Sequence, residues 1–312
     1  MLPSPLPTRR HSRRARIILS VVLALALAAW LLWREHMRPQ GDQRVAYVPA
    51  AATCTDDPGG FTFCIYRAPQ GTDGRVAYHL HGRNLDARAW NDDTYYTSMI
   101  QARWAEWGAT PPIVVSVSFG PVWLLARQGR ASRSGLLETF RDRVLPAVEA
   151  QTGAPRGRLV FGESMGGVNA LALGLSLPDR FEGVAALCPP LYDASPFVDL
   201  ETARAVMART GAEPKLVLSL RSLATDYFAD DAEWQAFSPN ARVQNAAPPG
   251  APWIYLSVGL YDAYGAYAGA ERFSRDARAH GWRVYWRPLY GGHCAVDVDS
   301  AARALLEEPG DR

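Results

Sequence analysis

The sequence predicts an α/β protein in which helices cover both faces of a mostly parallel sheet. From about residue 60 to residue 306, short apolar runs of strand length alternate with longer segments of helical periodicity. In one such segment, Leu136, Phe140, Val144 and Val148 lie near one helix face, as packing against a sheet requires. This alternation is typical of parallel sheets, because each parallel connection needs a crossover.

Eight strands and five covering helices are predicted in chain order. The strands cover residues 44–48, 62–67, 76–80, 113–118, 159–161, 183–187, 253–258 and 284–289. The helices cover residues 93–107, 135–152, 166–177, 267–280 and 295–306. A cap-like insertion, residues 190–250, separates the sixth and seventh strands, with a helix predicted at residues 200–210 and a strand at residues 216–220.

A glycine-rich turn follows the fifth predicted strand. Gly162-Glu163-Ser164-Met165-Gly166 stands between a short apolar run and a helical segment rich in Ala and Leu. A serine on such a strand–turn–helix junction is lifted out of the sheet, and the glycines let the two backbones approach closely. We therefore interpret Ser164 as a nucleophile, on the strength of this context rather than of the pentapeptide alone.

An aspartate and a histidine follow Ser164 in the order that this interpretation needs. Asp262 lies just beyond the seventh predicted strand, and His293 just beyond the eighth. Because the carboxyl ends of parallel strands share one edge of the sheet, the three side chains are expected to converge there. The imidazole would take the serine proton, and the carboxylate would orient the imidazole. Asp226 is the main rival acid, although no strand leads so directly into it.

The strand at residues 76–80 runs into a turn at Gly82. The backbone N–H groups of Arg83 and Met165 are expected to hold the substrate oxyanion. His79 and His81 on this strand could form half of a metal site, but no further ligand follows at a suitable spacing, so no metal is predicted.

Together, these motifs resemble the putative esterase family of α/β-hydrolases, which includes esterase D, enterochelin-esterase-like proteins and bacterial mycolyltransferases. The resemblance rests on residues 79–82, the turn around Ser164, residues 258–262 and residues 291–293, and it covers residues 61 to 306. It implies an α/β-hydrolase fold and serine-dependent acyl chemistry without a cofactor. It also suggests Trp90 for the substrate cleft, where an acidic segment with a tryptophan follows the oxyanion turn in some members.

Other aromatic residues are candidates for the same cleft. Trp123 lies in the loop after the fourth predicted strand, which reaches the edge where Ser164 is expected. Tyr261 immediately precedes Asp262. For each of these residues, packing in the core is the alternative interpretation.

The N-terminus has the pattern of a membrane anchor. Five arginines within residues 9–16 precede an apolar run at residues 17–33, and Trp30 and Trp33 lie at its far end. The predicted order is a cytoplasmic segment (1–16), a transmembrane signal anchor (17–33), a tether (34–52), a hydrolase domain (53–308) and a tail (309–312). The excess of arginines before the run places the N-terminus in the cytoplasm and the domain in the periplasm or outside the cell. Cleavage near Ala26, giving a secreted protein, is the alternative.

Four cysteines fit an oxidising compartment. Cys54 and Cys64 flank the turn sequence at residues 57–60, which favours a disulfide between them. Cys188 follows the sixth predicted strand and Cys294 follows His293, so both are expected at the same edge of the sheet. A second disulfide between them is the hypothesis, and two buried thiols are the alternative.

The distribution of charge does not indicate a nucleic-acid surface. The net charge is +2, but residues 1–40 hold seven arginines and one acid, which leaves 26 basic and 30 acidic residues in the rest of the chain. The predicted function is a membrane-anchored extracytoplasmic serine esterase, and its location suggests an envelope lipid or polysaccharide ester as substrate. Transfer of the acyl group to a sugar or lipid alcohol is one alternative, and a non-catalytic binding protein of this fold is another.

Overall fold

The computed structural model describes residues 10–36, 46–123 and 135–310. The chain separates into two compact units, Met1–Arg38 and Pro39–Arg312, and each is described by itself. In the first unit, helix α1 (Arg10–His36) contains a segment, Arg16–Arg34, that is long and apolar enough to cross a membrane. Signal anchors and cleaved signal peptides share these properties.

In the described part of the second unit, eight strands form one sheet in the order β1-β2-β4-β3-β5-β6-β7-β8. Strand β2 is antiparallel to both β1 and β4, and the other neighbouring pairs are parallel. The strands are β1 (Ala51–Asp57), β2 (Phe61–Arg67), β3 (Val76–Leu80), β4 (Ile113–Ser118), β5 (Arg158–Glu163), β6 (Gly183–Leu187), β7 (Trp253–Gly259) and β8 (Val284–Leu289).

Helices cover both faces of this sheet. On one face lie α3 (Leu136–Thr139) and α4 (Leu145–Thr152), joined by a π-helical turn, together with α5 (Met165–Ser176) and α10 (Ala266–Ala279). On the other face lie α2 (Tyr96–Glu106) and α11 (Val298–Ala304), which are linked by a hydrogen bond from Trp104 Nε1 to the Ala302 carbonyl oxygen (3.0 Å). The predicted α/β-hydrolase architecture is confirmed, including the insertion between the sixth and seventh strands.

The insertion is helical throughout its regular part. It contains α6 (Leu200–Thr210), α7 (Pro214–Tyr227), α8 (Asp231–Phe237) and α9 (Pro239–Arg242). The strand predicted at residues 216–220 is wrong, because this stretch forms the first half of α7. Pro214 starts that helix, where its missing N–H costs nothing, and Ala224 and Tyr227 then fall on the face that packs against α5.

The first strand lies later in the chain than the sequence suggested. Residues 46–48 of the stretch predicted as strand 44–48 are not in a strand, and residues 44 and 45 lie outside the described residues. Strand β1 is an exposed, polar edge strand whose register comes from the hairpin, where Cys54 lies opposite Cys64 and forms a disulfide with it. Part of the predicted tether contacts the folded domain, since the Tyr47 hydroxyl donates to the Asn91 carbonyl oxygen (2.9 Å).

Candidate active site

The candidate nucleophile lies on a sharp turn between β5 and α5. Ser164 has φ 53°, in the left-handed region that non-glycine residues rarely adopt, and its N–H donates to the Leu187 carbonyl oxygen (2.9 Å). A Cβ built on Gly162 or on Gly166 would lie 2.2 Å or 1.8 Å from the Leu80 carbonyl oxygen. Only glycine fits at these two positions, because the backbones of β3, β5 and α5 meet there.

The structure brings Ser164, His293 and Asp262 together. His293 Nδ1 lies 2.7 Å from Asp262 Oδ2, and His293 Nε2 lies 2.9 Å from Ser164 Oγ. A carboxylate can only accept, so Nδ1 carries the proton that it donates to Asp262. In the neutral imidazole, Nε2 is then free to accept the Ser164 hydroxyl proton, which is what a general base must do.

The Asp262 carboxylate is held from two sides. Its side chain is fully buried, and its second oxygen accepts the Tyr264 backbone N–H (2.8 Å). The Tyr264 ring lies 4.4 Å from the His293 ring, centroid to centroid. Burial raises the pKa of Tyr264, and the charge of Asp262 raises it further, so this tyrosine is neutral beside the imidazole. The rival acid Asp226 is exposed on α7.

Two backbone donors near Ser164 are free. Met165 is the first residue of α5, where an N–H has no partner within its own helix. Arg83 follows Gly82 at the end of β3. Neither N–H donates a hydrogen bond to another described residue. These are the two groups that the sequence suggested for an oxyanion hole.

A family model described as putative esterase matches residues 61–295, well over half of the chain. The chain belongs to the putative esterase family. The family assignment predicted from the sequence is thus confirmed, and with it carboxylic ester hydrolysis. No curated protein sequence matches this esterase significantly.

Solved structures of other esterases resemble this esterase in fold. S-formylglutathione hydrolase from Agrobacterium tumefaciens is 17% identical, with 86% of this chain and 99% of that chain covered and a TM-score of 0.59. Brefeldin A esterase, a bacterial homologue of human hormone sensitive lipase, is 20% identical, with 92% and 84% covered and a TM-score of 0.55. Carboxyl esterase 2 from Tuber melanosporum is 15% identical, with 86% of each chain covered and a TM-score of 0.55.

Of the three residues suggested for the cleft, one is a core residue. Trp90 is 1% exposed and packs against the rings of Trp104 and Phe161, so it offers no surface to a substrate at the Ser164 edge. An aromatic residue after a turn does not reveal in sequence which way its ring points. Trp123 is half-buried beside an apolar pocket of the insertion. Tyr261 is 48% exposed and packs edge-on against the Tyr290 ring.

Sequence reasoning missed the role of Glu163, the residue before Ser164. Its side chain is 1% exposed. Carboxylate atom Oε2 lies 2.9 Å from His79 Nε2 and accepts the Tyr96 hydroxyl (2.8 Å), while Oε1 accepts the Gly82 N–H (2.6 Å). Burial raises the pKa of this carboxyl, but the charge and hydrogen bond of His79, with the other two donors, lower it by more. The signal was a charged residue soon after the apolar run of the fifth strand, since buried charges require partners.

The second histidine of the His79-Leu80-His81 sequence holds the other side of the same turn. His81 Nδ1 donates to the Gly82 carbonyl oxygen (2.7 Å), and its Nε2 lies 2.8 Å from Ser118 Oγ. The His81 imidazole is buried, and burial lowers its pKa. A neutral His81 that donates from Nδ1 accepts the Ser118 hydroxyl at Nε2. The two histidines thus hold the turn through hydrogen bonds.

A disulfide joins the end of β6 to the residue after His293. It links Cys188 to Cys294, and both half-cystines have positive φ, 42° and 57°. Cys188, His293 and Cys294 lie close enough to be considered as metal ligands. The two sulfur atoms are bonded to each other, however, so neither can be the thiolate that a metal ion binds.

Proposed function

We propose that this esterase is a membrane-anchored, extracytoplasmic serine hydrolase of carboxylic esters. Ser164 Oγ attacks the ester carbonyl carbon while His293 Nε2 takes the hydroxyl proton. His293 then gives that proton to the leaving alcohol oxygen as the C–O bond breaks. Water, deprotonated by the same imidazole, releases the acid from Ser164. No cofactor takes part.

The observation that carries this proposal is the position of His293 between Ser164 Oγ (2.9 Å) and the Asp262 carboxylate (2.7 Å). Both distances lie within hydrogen-bond reach, as a nucleophile, a base and its orienting group require. The free N–H groups of Arg83 and Met165 would hold the oxyanion of the tetrahedral intermediate. Each such donor is worth roughly 10²–10³-fold in kcat.

Labelling with a fluorophosphonate tests the nucleophile directly. The full chain in detergent is expected to react, because an activated serine displaces fluoride from phosphorus and forms a phosphonate ester. Ser164→Ala is expected to lose the label and the turnover of p-nitrophenyl acetate and butyrate together. Ser195→Ala, at a serine of the loop after β6, is the control and keeps both. A folded wild-type protein that takes no label contradicts the proposal.

Helix α1 and the disulfides support the proposed location. Five arginines precede the apolar segment, which favours an N-terminus in the cytoplasm, and the two disulfides suit an oxidising compartment. A C-terminal alkaline phosphatase fusion is expected to be active in a bacterial host, and a fluorescent-protein fusion at the same position to be dark. The membrane fraction should contain a chain whose mass includes residues 17–33. A shorter, soluble chain would instead indicate cleavage.

An apolar pocket of the insertion is proposed to take the acyl group. It encloses about 50 Å³ and is lined almost wholly by apolar side chains, among them Val168, Leu223, Ala224, Phe228 and Trp234. Val168 lies one helical turn after Ser164, and its N–H donates to the Ser164 carbonyl oxygen (3.2 Å). Since one water needs about 10–15 Å³ in the same measure, the space suits a short acyl chain.

Filling the pocket tests its role. Ala224→Phe is expected to lower turnover of p-nitrophenyl butyrate at least tenfold relative to p-nitrophenyl acetate, because the longer acyl chain loses its place. Ser222→Phe, at an exposed position of the same helix, is the matched control and should leave the ratio unchanged. An unchanged ratio in Ala224→Phe would show that the acyl chain binds elsewhere.

A further inference from the structure

Glu163 connects the nucleophile turn to the turn that carries the proposed oxyanion donor. It is adjacent to Ser164 in the chain, and its Oε1 accepts the N–H of Gly82, the residue before Arg83 (2.6 Å). The bond therefore joins two segments 81 residues apart. A short bond from a peptide N–H to an ionised carboxylate is among the stronger hydrogen bonds that a backbone group makes.

The carboxylate is itself held at its other oxygen. His79 Nε2 and the Tyr96 hydroxyl both contact Oε2, and His79 Nδ1 lies 2.9 Å from Ser116 Oγ. His79 has no exposed surface and stacks on the Phe161 ring, with centroids 4.9 Å apart. The side chain of Glu163 thus has no room to change rotamer without breaking several hydrogen bonds.

A buried carboxylate is weak evidence for stability, since apolar residues of the same volume often stabilise a core as well. What Glu163 does provide is a fixed position for the Gly82 N–H, while His81 holds the carbonyl oxygen of the same residue. The next N–H along the chain is that of Arg83. Its position relative to Ser164 is therefore set by Gly82.

We propose that Glu163 is a positioning residue, whose carboxylate, clamped by His79, holds the Gly82–Arg83 turn where the Arg83 N–H meets the oxyanion. The inference rests on the proposed function, since it presupposes acyl transfer to Ser164. Glu163 touches neither the substrate nor Ser164 Oγ; it acts through the backbone of the turn. Its loss should therefore weaken binding of the transition state and leave binding of the substrate unchanged.

Glu163→Gln tests this role, because it keeps the shape of the side chain and removes its charge. If the amide oxygen faces Gly82, the NH₂ group faces the Tyr96 hydroxyl and His79, which must change tautomer. A displacement of the turn by about 1 Å is expected to lower kcat/KM about 10²-fold. KM should stay within about twofold, and affinity for a trifluoromethyl ketone, which forms the tetrahedral adduct, should fall in parallel with kcat/KM.

Glu149→Gln is the matched control. It makes the same substitution at a carboxylate that pairs with Arg158, the first residue of β5, whereas Ser164 follows the last, so kcat/KM and ketone affinity should stay within about threefold of the wild type. Three results would overturn the inference: Glu163→Gln with near-normal kcat/KM, a loss confined to KM, or equal losses in both variants that follow thermal stability. A wild-type protein that does not react with fluorophosphonate contradicts the proposed function instead, and so the two failures are distinct.

The wild type provides a test that does not depend on the folding of a variant. Hydrogen exchange of the full chain is expected to show a protected Gly82 amide, because its proton is bonded to a buried carboxylate. The adjacent Arg83 amide has no acceptor among the described residues and should exchange quickly. Equally fast exchange at the two positions would refute the inference.

Discussion

The two disulfides offer a matched pair of perturbations that differ in what they hold. Cys188–Cys294 closes a segment of 106 residues and lies beside His293, whereas Cys54–Cys64 closes a segment of 10 residues in the β1–β2 hairpin. We compare the double variants Cys188→Ala/Cys294→Ala and Cys54→Ala/Cys64→Ala. Both lose one cross-link, but only the first releases the histidine loop.

Loop-closure entropy gives the expected loss of stability for each variant. Because the unfolded chain gains more freedom from a longer loop, opening the longer loop costs about 5 kcal/mol and opening the shorter one about 3 kcal/mol at 25 °C. For a domain of this size, 1 kcal/mol corresponds to roughly 2–4 °C in Tm. The first variant should therefore melt about 10–20 °C below the wild type, and the second about 6–12 °C below it.

The two variants should differ more in activity than in stability. Cys188 and Cys294 have left-handed backbones, which cost of order 1–3 kcal/mol each and persist only while the surroundings impose them. Without the cross-link, the chain at Cys294 relaxes and carries His293 away from Ser164, and a misplacement of about 1 Å lowers the rate about 10²-fold. The hairpin variant keeps its activity, because β1 is an edge strand.

Thermal unfolding followed by tryptophan fluorescence, together with p-nitrophenyl butyrate kinetics at 25 °C, measures both effects on the full chain in detergent. The reasoning fails if the two variants are destabilised equally. It also fails if the first variant, still folded at 25 °C, retains wild-type kcat/KM.

Three further predictions concern single residues. Asp262→Asn should lower kcat/KM about 10⁴-fold, because the amide favours the wrong imidazole tautomer. Asp226→Asn, on the exposed face of α7, is the control and should leave kcat/KM unchanged. Equal kinetics in the two variants would contradict the assignment of Asp262. Burial lowers the pKa of His81 in the folded state below its ordinary value of 6.5. As the pH falls, the unfolded chain therefore binds a proton at His81 before the folded chain does. The free energy of unfolding is thus fully retained above pH 6.5 and decreases as the pH drops below that value. Urea unfolding at pH 7 and pH 5 should show that His81 lowers the free energy of unfolding by at most about 1.4 kcal/mol per pH unit. His81→Gln should reduce this dependence on pH, and an unchanged dependence would refute the assignment. Gly166→Ala should destabilise the fold by about 3 kcal/mol, because its Cβ would lie 1.8 Å from a carbonyl oxygen of β3. Gly310→Ala is the control, since its Cβ would meet no atom within 4 Å. Similar Tm values for the two variants would contradict the predicted clash at Gly166.

The parts of the fold that the sequence predicts are those with a strong local pattern. Strands β3 and β4 are continuous apolar runs, and both agree with their predicted bounds, residues 76–80 and 113–118. Strand β1 is polar and mostly exposed, so nothing in its own sequence distinguishes it from a loop, and its pairing with β2 determines it. The first half of α7, at residues 216–220, is a short apolar run, for which periodicity alone does not separate a strand from a helix.

The candidate site, too, has a part that the sequence predicts and a part that it does not. The order of Ser164, Asp262 and His293 is a property of the chain, and the topology of a parallel sheet then brings their strand ends to one edge. The surroundings of Glu163 and Trp90 are different, because each depends on contacts between segments far apart in sequence. Glu163 meets a strand more than 80 residues away, and the Trp90 ring packs against α2 and β5. No local pattern encodes those contacts.

The two halves of the site are held by different physical means. On the side of the proposed oxyanion turn, the Glu163 carboxylate and His81 hold Gly82 through hydrogen bonds, and His79 holds that carboxylate. On the side of the base, a covalent cross-link fixes Cys294, the neighbour of His293. Only the second depends on the redox state of the compartment. A chain with reduced cysteines is expected to keep the proposed oxyanion turn and to lose the position of the proposed base, and this dependence on the disulfide agrees with the proposed location of the domain.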